Sequence, residues 1–374
     1  MLGIYVHLPF CPYICPYCDF AKWPMQRTRA ARYLQALQAE IAAMRSEPAA
    51  TLFYGGGTPN AYAAGEIATL TRTLRERFML AGTPEISIEV NPELVGEVDF
   101  PAYVAAGINR VSIGVQSFIP DEIATLGRKH TPRDVERVVE RARDAGVRSV
   151  SLDLIFAVPG QTVRSWDRSL ASALDLGVDH ISTYGLTIEA GTPYEGWYMR
   201  EPRAFADDAL EAELYATAIE RLEGAGYEQY EISNFARPGH RCAHNENYWR
   251  NGEYLGLGVG AASYRDGERS VHTRDLNVYI AAAEAGAGIP GEVERLSGIK
   301  AVGEAIMIAL RTAQGVALSE FKERYGVDVA ERYAPVVARY QSDGLLERTG
   351  DRLVLTKRGR FLANDVCGAF VTFE

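Results

Sequence analysis

Three cysteines stand close together near the start of the chain, in the run Cys11-Pro-Tyr-Ile-Cys15-Pro-Tyr-Cys18. Three thiolates on one short loop predict an iron-sulfur cluster. Because three thiolates cannot saturate four irons, one iron stays open to a small ligand. Two alternatives are a structural zinc of the Cys3His type with His7 as the fourth ligand, and three thiols that bind no metal. Zinc loops usually pair their cysteines as CxxC, so the spacing favours the cluster.

The elements that must position this loop are short strands that alternate with amphipathic helices. The strands are predicted at 2–7, 51–54, 85–90, 110–114, 149–156 and 180–186. Helical spacing of apolar residues separates them, at Leu34, Leu37, Ile41 and Met44, at Ile67, Leu70, Leu74 and Phe78, and at Val135, Val138, Val139 and Ala142. This alternation predicts βαβ units with parallel strands.

Six such units form either a doubly wound sheet or a barrel that lacks the eight strands needed for closure. Residues with unusual chemistry lie at or just past the predicted strand ends, and they are Cys11, the Gly55-Gly56-Gly57-Thr58-Pro59 turn, Glu89 with Asn91-Pro92, Gln116 and Asp153. The carboxyl ends of the strands form the active face of a β/α barrel. We therefore expect an α/β fold, a partial (β/α)6 barrel.

Two domain boundaries are predicted farther along the chain. Gly191, Pro193 and Pro202 mark a connecting stretch, so the barrel is expected to cover 1–190. We expect 191–298 to extend the barrel. From 299 to 374 the pattern is helix, short helix, helix, a hairpin with Gly350-Asp351 at its turn, and a final helix, which predicts a mostly helical, winged-helix-like domain.

Composition limits the class of partner and the compartment. Thirty-nine basic and 49 acidic residues give a net charge of −10, the wrong sign for binding nucleic acid or anionic lipid by bulk charge. There is no run of about 18 apolar residues and no cleavable N-terminal signal. Five cysteines, three of them within eight residues, do not resemble a disulfide framework. The expected protein is cytoplasmic, has reduced thiols and lacks a transmembrane segment.

The CxxxCxxC spacing after a first strand, followed by the GGGTP turn, resembles the radical S-adenosylmethionine (SAM) superfamily over about residues 2–190. The resemblance implies that the amino and carboxylate groups of SAM bind the open iron of a [4Fe-4S] cluster. It also implies that the glycines let the backbone approach SAM, and that Glu89 accepts hydrogen bonds from ribose hydroxyls. Without the resemblance, these features would indicate a tight turn and a surface carboxylate.

A narrower resemblance is to the oxygen-independent coproporphyrinogen III oxidases, in the segments YVHLPFC from Tyr5, GVQSF from Gly114, LGR from Leu126 and DLI from Asp153. It implies that SAM is contacted by Tyr5, Tyr17, Gly56, Gly57, Thr58, Glu89, Gln116, Arg128 and Asp153. Arg128 would pair with the methionine carboxylate, and Gln116 and Asp153 would hydrogen-bond its amino, ribose or carboxylate groups. Taken singly, Arg128 and Asp153 would be ordinary solvated or helix-capping charges.

Two departures from these oxidases match their sister group, the HemW heme chaperones. Asp19-Phe20 follows Cys18 where the oxidases have Gly-Cys, and only ten residues precede Cys11 where they have an extension. The run HNENYW at 244–249 is similar to the HNxxYW motif of that group, which is implicated in holding heme. This resemblance implies heme contacts by His244, Asn245, Tyr248 and Trp249, since imidazole is a good axial ligand and aromatic rings pack on a macrocycle.

Several alternatives remain open at this point. Composition alone makes His244 a structural histidine, and Cys242 is either an inert thiol or a second candidate for the axial ligand. A coproporphyrinogen oxidase and a DNA-binding redox regulator are the rival functions. The favoured hypothesis is a carrier with a [4Fe-4S] cluster and SAM, which binds heme and delivers it to apo-hemoproteins, with a heme donor protein as a further candidate partner. We assign it no catalytic residue.

Overall fold

The structure, a computed structural model, describes residues 2–80 and 82–371. The six strands predicted from the sequence are confirmed to within one or two residues at their ends. The strands of the described chain are β1 Gly3–Leu8, β2 Phe10–Cys11, β3 Trp23–Pro24, β4 Thr51–Gly56, β5 Glu85–Val90, β6 Arg110–Gln116, β7 Ser149–Phe156, β8 His180–Gly185, β9 Glu228–Gln229, β10 Asn234–Ala236, β11 Tyr254–Leu257, β12 Ala262–Arg265, β13 Glu268–His272, β14 Gly291–Arg295, β15 Val316–Ala317, β16 Leu346–Thr349 and β17 Arg352–Leu355.

The helices connect consecutive parallel strands in the first half and form most of the last part of the chain. They are α1 Arg27–Ala43, α2 Ala64–Arg77, α3 Asp99–Ala106, α4 Pro120–Thr125, α5 Pro132–Asp144, α6 Val163–Asp175, α7 Pro193–Arg200, α8 Asp208–Gly224, α9 Ala243–Trp249, α10 Leu276–Glu284, α11 Gly298–Leu310, α12 Leu318–Tyr325, α13 Val329–Arg332, α14 Ala334–Ser342, α15 Lys357–Phe361 and α16 Ala363–Val371. Within the described residues, no helix has the length and apolar character needed to cross a membrane.

The main sheet has the order β14-β13-β12-β11-β1-β4-β5-β6-β7-β8-β10-β9 in the described residues. Strands β1, β4, β5, β6, β7 and β8 run parallel, as the βαβ pattern predicts. The structure adds a parallel strand that the sequence did not predict, since β11 pairs with the free edge of β1 and places Gly3 opposite Tyr254. Antiparallel strands β12 to β14 extend the sheet from β11.

Successive side chains of a strand point to opposite faces of the sheet, so one set packs in the hydrophobic core and the other faces the barrel interior. On β1, Ile4 and Val6 are fully buried in the core, which also contains Leu37 of α1. The intervening Tyr5 and His7 point to the opposite face, into the barrel. Functional side chains on that face are therefore held by strands whose other face is fixed by apolar packing.

The last part of the chain has a hydrophobic core of its own, to which Val302, Leu346 and Phe370 belong. Its three-stranded sheet has the order β15-β17-β16, and the predicted hairpin turns at Gly350-Asp351 between β16 and β17. The predicted order of helices and hairpin is present.

Candidate functional site

A cavity of about 400 Å³ opens where the parallel strands end at their carboxyl termini. Its size is within the range of small-molecule sites. It is lined by the three cysteines of the first loop and by eight of the nine residues expected to contact SAM, namely Tyr17, Gly56, Gly57, Thr58, Glu89, Gln116, Arg128 and Asp153. We call this space the cysteine cavity.

The cysteine loop is closed by backbone pairing at its base. Strand β2 pairs with β3, and the amide of Met25 donates to the carbonyl oxygen of Cys11 at 2.8 Å. Inside the loop, the amide of Cys18 donates to the carbonyl oxygen of Cys15. These contacts place all three thiols on the wall of one cavity.

Burial and nearby cations have opposite effects on the three thiols, which must lose their protons to bind a metal. Burial raises the pKa of the Cys11 thiol to about 11 and also raises the pKa of Cys18. Coordination to a metal removes the thiol proton, and nearby cations favour the resulting thiolates. Lys22 donates to the Cys18 carbonyl, and the Arg128 guanidinium lies 3.9 Å from the Cys15 sulfur.

The arrangement differs from the single-zinc alternative. Among residues 2–80 and 82–371, no three His, Cys, Asp or Glu side chains converge on a point that one metal ion would occupy. His7 does not line the cysteine cavity, and its Nε2 atom is 2.7 Å from the carbonyl oxygen of Ala21. His7 is therefore not placed as the fourth ligand that the zinc alternative requires, since its Nδ1 atom also has a partner, the Tyr5 hydroxyl.

The opposite wall of the cavity carries two buried carboxyl groups. Burial raises the pKa of Glu89 to about 8, and the nearby Asp153 carboxylate adds to the rise. Asp153 accepts hydrogen bonds from the hydroxyls of Ser112 and Ser182, each at 2.8 Å. Glu89 accepts from the Gly56 backbone, but no side chain donates to it among the contacts that shift its pKa. It is therefore suited to hydrogen-bonding a ligand hydroxyl.

Arg128 is the buried cation of the cysteine cavity. Its Nη2 atom donates to Asn91 Oδ1 at 2.9 Å and to the Gly114 carbonyl oxygen at 2.6 Å. Its Nε–H has no partner in the described part of the chain, although the residue is only 9% exposed. Because Asn91 and the Gly114 carbonyl are neutral acceptors, the Arg128 guanidinium keeps its charge for an anionic group of a ligand in the cavity.

Gln116 occupies a strained position beside Arg128. Its φ angle of 64° lies in the left-handed region, and the pairing of β6 with β7 shifts register between Gly114 and Gln116. Such bulges redirect a side chain at the end of a strand, and strain of this kind is frequent at functional sites. Here the bulge accompanies the placement of Gln116 on the cavity wall.

Tyr5 is the one expected SAM residue that does not line the cysteine cavity. It lies on a second cavity of about 360 Å³, on the other side of His7. A Cβ atom at Gly56 would lie 2.4 Å from the His7 ring, so this imidazole packs directly against the glycine turn of the cysteine cavity. The second cavity is lined by the aromatic side chains Tyr5, Phe20, Tyr248, Trp249, Tyr254 and Tyr264, and we call it the aromatic cavity.

The HNxxYW residues are only partly brought together by the structure. Tyr248 and Trp249 line the aromatic cavity, whereas Asn245 lines neither cavity. His244 is 1% exposed, with its Nδ1 atom 2.8 Å from Thr51 Oγ1 and its Nε2 atom 2.8 Å from the Tyr248 hydroxyl. Burial lowers the pKa of His244 to about 3, so the ring is neutral. In this conformation neither ring nitrogen is free to bind iron.

Helix α9, which carries these residues, is fixed to the barrel at its first turn. The amides of Ala243 and His244 donate to the Glu85 carboxylate of β5, at 3.1 and 3.0 Å. The thiol of Cys242 donates to the same carboxylate at 3.4 Å, and burial raises the pKa of that thiol to about 12. Cys242 is therefore a buried, protonated thiol with a partner of its own.

Sequence reasoning missed several residues of the aromatic cavity, including Tyr254, Tyr264, Arg269 and Arg274. They come from strands β11 to β13 and the segment that follows, none of which was predicted. A spacing of ten residues between two tyrosines carries no signal of its own. Only the pairing of Tyr254 with Tyr264 across β11 and β12 brings them together.

Comparisons with known proteins identify the family and the fold of this chain. The Radical SAM superfamily model matches residues 5–173, and the HemN C-terminal domain model matches 296–362. The heme chaperone HemW of Bacillus subtilis is 34% identical over 99% of both chains, and that of Mycobacterium tuberculosis is 39% identical over 97% of this chain and 93% of its own. Among solved structures, the Escherichia coli radical SAM enzyme coproporphyrinogen III oxidase (HemN) has a TM-score of 0.86 at 25% identity, over 100% of this chain and 90% of its own.

Proposed function

Because this chain belongs to the HemW family of heme chaperones, within the radical SAM superfamily, we propose that it binds a [4Fe-4S] cluster, SAM and heme, and delivers the heme to apo-hemoproteins. The observation that carries the proposal is the cysteine cavity, which gathers three thiols and eight of the nine expected SAM residues. The free thiols of the described chain are consistent with a reducing compartment such as the cytoplasm.

The cysteine cavity offers candidate partners for the amino, carboxylate and ribose groups of SAM. When bound, the cluster supplies an open iron for the amino and carboxylate groups and an electron source for the sulfonium. The Arg128 guanidinium on the cavity wall is proposed to pair with the carboxylate, and Glu89 and Asp153 to accept from the ribose hydroxyls or the amino group. The packing of the turn requires glycine at 56 and 57, since a Cβ atom at Gly56 would lie 2.4 Å from the His7 ring and one at Gly57 would lie 2.6 Å from the Pro9 carbonyl carbon.

Heme is the proposed cargo, and α9 is the element proposed to contact it. Tyr248 and Trp249 present aromatic surface to a cavity, as contact with a macrocycle requires. His244 would act through Tyr248 in the present conformation, because both of its nitrogens are hydrogen-bonded. Direct ligation of iron by His244 would require one of these bonds to break.

The enzyme alternative is an oxygen-independent coproporphyrinogen III oxidase, and the structural likeness to that enzyme favours it. The departures around Cys18 and the HNxxYW run favour the chaperone. Anaerobically reconstituted protein should be incubated separately with heme and with coproporphyrinogen plus SAM and a strong reductant. We expect stoichiometric heme binding, transfer of that heme to an apo-hemoprotein, and no decarboxylation. Failure to bind or transfer heme would contradict the proposal.

A further inference from the structure

The aromatic cavity lies apart from the three cysteines, and it is built from side chains of five separate segments of the chain. Its walls come from β1, the cysteine loop, the end of α9, strands β11 to β13, and Ile308 of α11. Tyr248 packs edge-on against Tyr254 with 4.6 Å between ring centroids, and Tyr254 lies 6.3 Å from Tyr264. These rings form a connected wall of π surface.

The charge of this cavity is opposite to that of the whole chain. The chain carries a net charge of −10, but no carboxylate is among the described residues that line the cavity, whereas Arg269 and Arg274 are. Arg269 is compensated by Glu304 at 2.8 Å and Glu294 at 3.3 Å. Arg274 is exposed at the rim, and no ion pair involves it in residues 2–80 and 82–371. The rim therefore has a guanidinium available to a ligand anion.

Two phenol groups in the cavity are held in place by imidazoles. Tyr5 Oη is 3.0 Å from His7 Nδ1, and Tyr248 Oη is 2.8 Å from His244 Nε2. Each imidazole is anchored on its other side, His7 by the Ala21 carbonyl and His244 by Thr51. These hydrogen bonds fix the orientation of two of the aromatic rings that line the cavity.

We propose that the aromatic cavity is the seat of the porphyrin, with the macrocycle against Tyr248, Tyr254 and Tyr264 and a propionate at Arg274. The proposal rests on the proposed function, which identifies heme as the cargo. An adenine nucleotide also has a flat ring and anionic groups, but a phosphate chain needs several donors. Only one uncompensated guanidinium is available here. A ligand whose surface is mainly aromatic, with isolated carboxylates, fits this lining better.

Heme in the aromatic cavity would lie beside the cysteine loop but outside the cysteine cavity. His7 separates the two spaces, and Phe20 lines both of them. Phe20 is 60% exposed, and Ala21 next to it accepts the His7 hydrogen bond. The lining of the heme seat therefore includes two residues of the same loop that carries the cluster ligands.

The test is a hemin titration of the reconstituted holoprotein and of variants at the rim and the wall. Arg274→Glu should weaken hemin binding about fivefold, the size expected for reversing one exposed charge contact. Tyr264→Ala should weaken binding about tenfold, whereas Tyr264→Phe, which keeps the ring, should retain it. Matched controls away from the cavity are Arg164→Glu on α6 and Tyr198→Ala on α7. Circular dichroism and the cluster spectrum establish that each variant is folded.

Carboxylate recognition has its own readout. Wild-type protein should bind hemin about fivefold more tightly than hemin dimethyl ester, and Arg274→Gln should remove this preference. If the wild-type protein binds hemin and every cavity variant binds it with the same affinity as its control, the aromatic cavity is not the seat of the porphyrin. The proposed function would then still stand. Competition between ATP and hemin at equal concentrations would overturn the porphyrin assignment. Failure of the wild-type protein to bind hemin at all would overturn the proposed function together with the seat.

Discussion

At the scale of single residues, neighbouring groups of one chemical type have very different surroundings. Cys11, Cys15 and Cys18 share a cavity, whereas Cys242 and Cys367 are buried apart from it. Glu89 lines a cavity and has no side-chain donor among the contacts that shift its pKa, whereas Glu85 accepts hydrogen bonds from the first turn of α9. These surroundings determine which thiols and carboxyls are available to a ligand.

The thiols give the first prediction. Anaerobic reconstitution should yield about four irons and four sulfides per chain, and Cys11→Ser, Cys15→Ser or Cys18→Ser should each abolish the cluster spectrum. Cys242→Ser is the matched control and should keep the cluster, since that thiol is held by Glu85. Iron and sulfide analysis with visible absorption makes the measurement. Stoichiometric zinc without charge-transfer bands would contradict the cluster.

SAM binding gives the second prediction. SAM should perturb the EPR signal of the reduced cluster, because it binds the open iron. Arg128→Ala or Glu89→Ala should weaken SAM binding about tenfold or more without loss of iron, since each removes a buried partner. An EPR signal that does not change at saturating SAM would remove the SAM site from the proposal.

Glu89 also gives a prediction about pH. Burial raises its pKa from an ordinary value near 4.5 to about 8. Between these values the native protein holds a proton that the unfolded chain has released, so this group makes stability fall as pH rises. Glu89→Gln should therefore gain stability relative to wild type from pH 5 to pH 8, by on the order of 1 kcal/mol per pH unit. Urea unfolding of the cluster-free protein measures the difference in unfolding free energy between Glu89→Gln and wild type. A difference that does not change with pH would count against the buried, protonated carboxyl.

At the scale of elements, α9 is held at both ends by different parts of the molecule. Glu85 of β5 accepts hydrogen bonds from its first turn. Beyond its last turn, Arg324 of α12 donates to the carbonyl oxygens of Arg250 and Asn251, at 3.0 and 2.7 Å. The C-terminal helices therefore hold the segment that contributes Tyr248 and Trp249 to the aromatic cavity.

The two hydrogen bonds from Arg324 predict that α12 restricts the mobility of α9. Arg324→Ala should speed amide hydrogen exchange in 243–251 about tenfold, because two hydrogen bonds from a charged donor are lost. Arg348→Ala, an exposed arginine at the β16–β17 hairpin, is the matched control and should leave α9 unchanged. Equal exchange rates in both variants would show that α9 is held by other contacts.

The same elements show what a sequence can and cannot predict here. The parallel strands and their helices were predictable because runs such as Glu85–Val90 and Ser149–Phe156 carry apolar residues at every second position, are of ordinary length and are separated by periodic helices. Strand β11 was not predictable, because it has only four residues, one of which is Gly256, and Gly252 lies two positions before it. Its partner β1 lies about 250 positions away, and pairing at that distance leaves no local pattern.

The candidate site was predictable to a similar degree. Residues at strand ends were placed correctly in one cavity because the ends of parallel strands meet on one face of the sheet. Tyr5 was grouped with them, but it lies beyond His7 in the other cavity. The engagement of both His244 nitrogens depends on Thr51 and Tyr248, contacts that only the folded chain creates.

At the scale of the whole molecule, the fold of a porphyrin-modifying enzyme is kept over the full chain. We predict that the protein nevertheless lacks coproporphyrinogen decarboxylating activity with cluster and SAM in place. Radical chemistry on a propionate needs its carbon held close to the adenosyl group, and small misplacements are costly to rate. The residues after Cys18 differ from the oxidase pattern in the region that would provide this positioning.

An anaerobic assay with SAM, reductant and coproporphyrinogen, run beside an authentic oxidase, makes the measurement. If protoporphyrinogen forms at a rate comparable with that of the authentic oxidase, the chaperone hypothesis is wrong and the enzyme hypothesis takes its place. Heme transfer without turnover of coproporphyrinogen would support the carrier.

The pairing of β1 with β11 has a consequence for the order in which the protein is assembled during translation. Every residue that lines the cysteine cavity precedes position 190, whereas the aromatic cavity needs Tyr248 and the residues up to Ile308. The chain emerges from the ribosome N-terminus first, and its early segments fold before the later ones appear. The cysteine cavity can thus form on the nascent chain while one edge of β1 is still unpaired. The aromatic cavity is complete only after residue 308 has been synthesised.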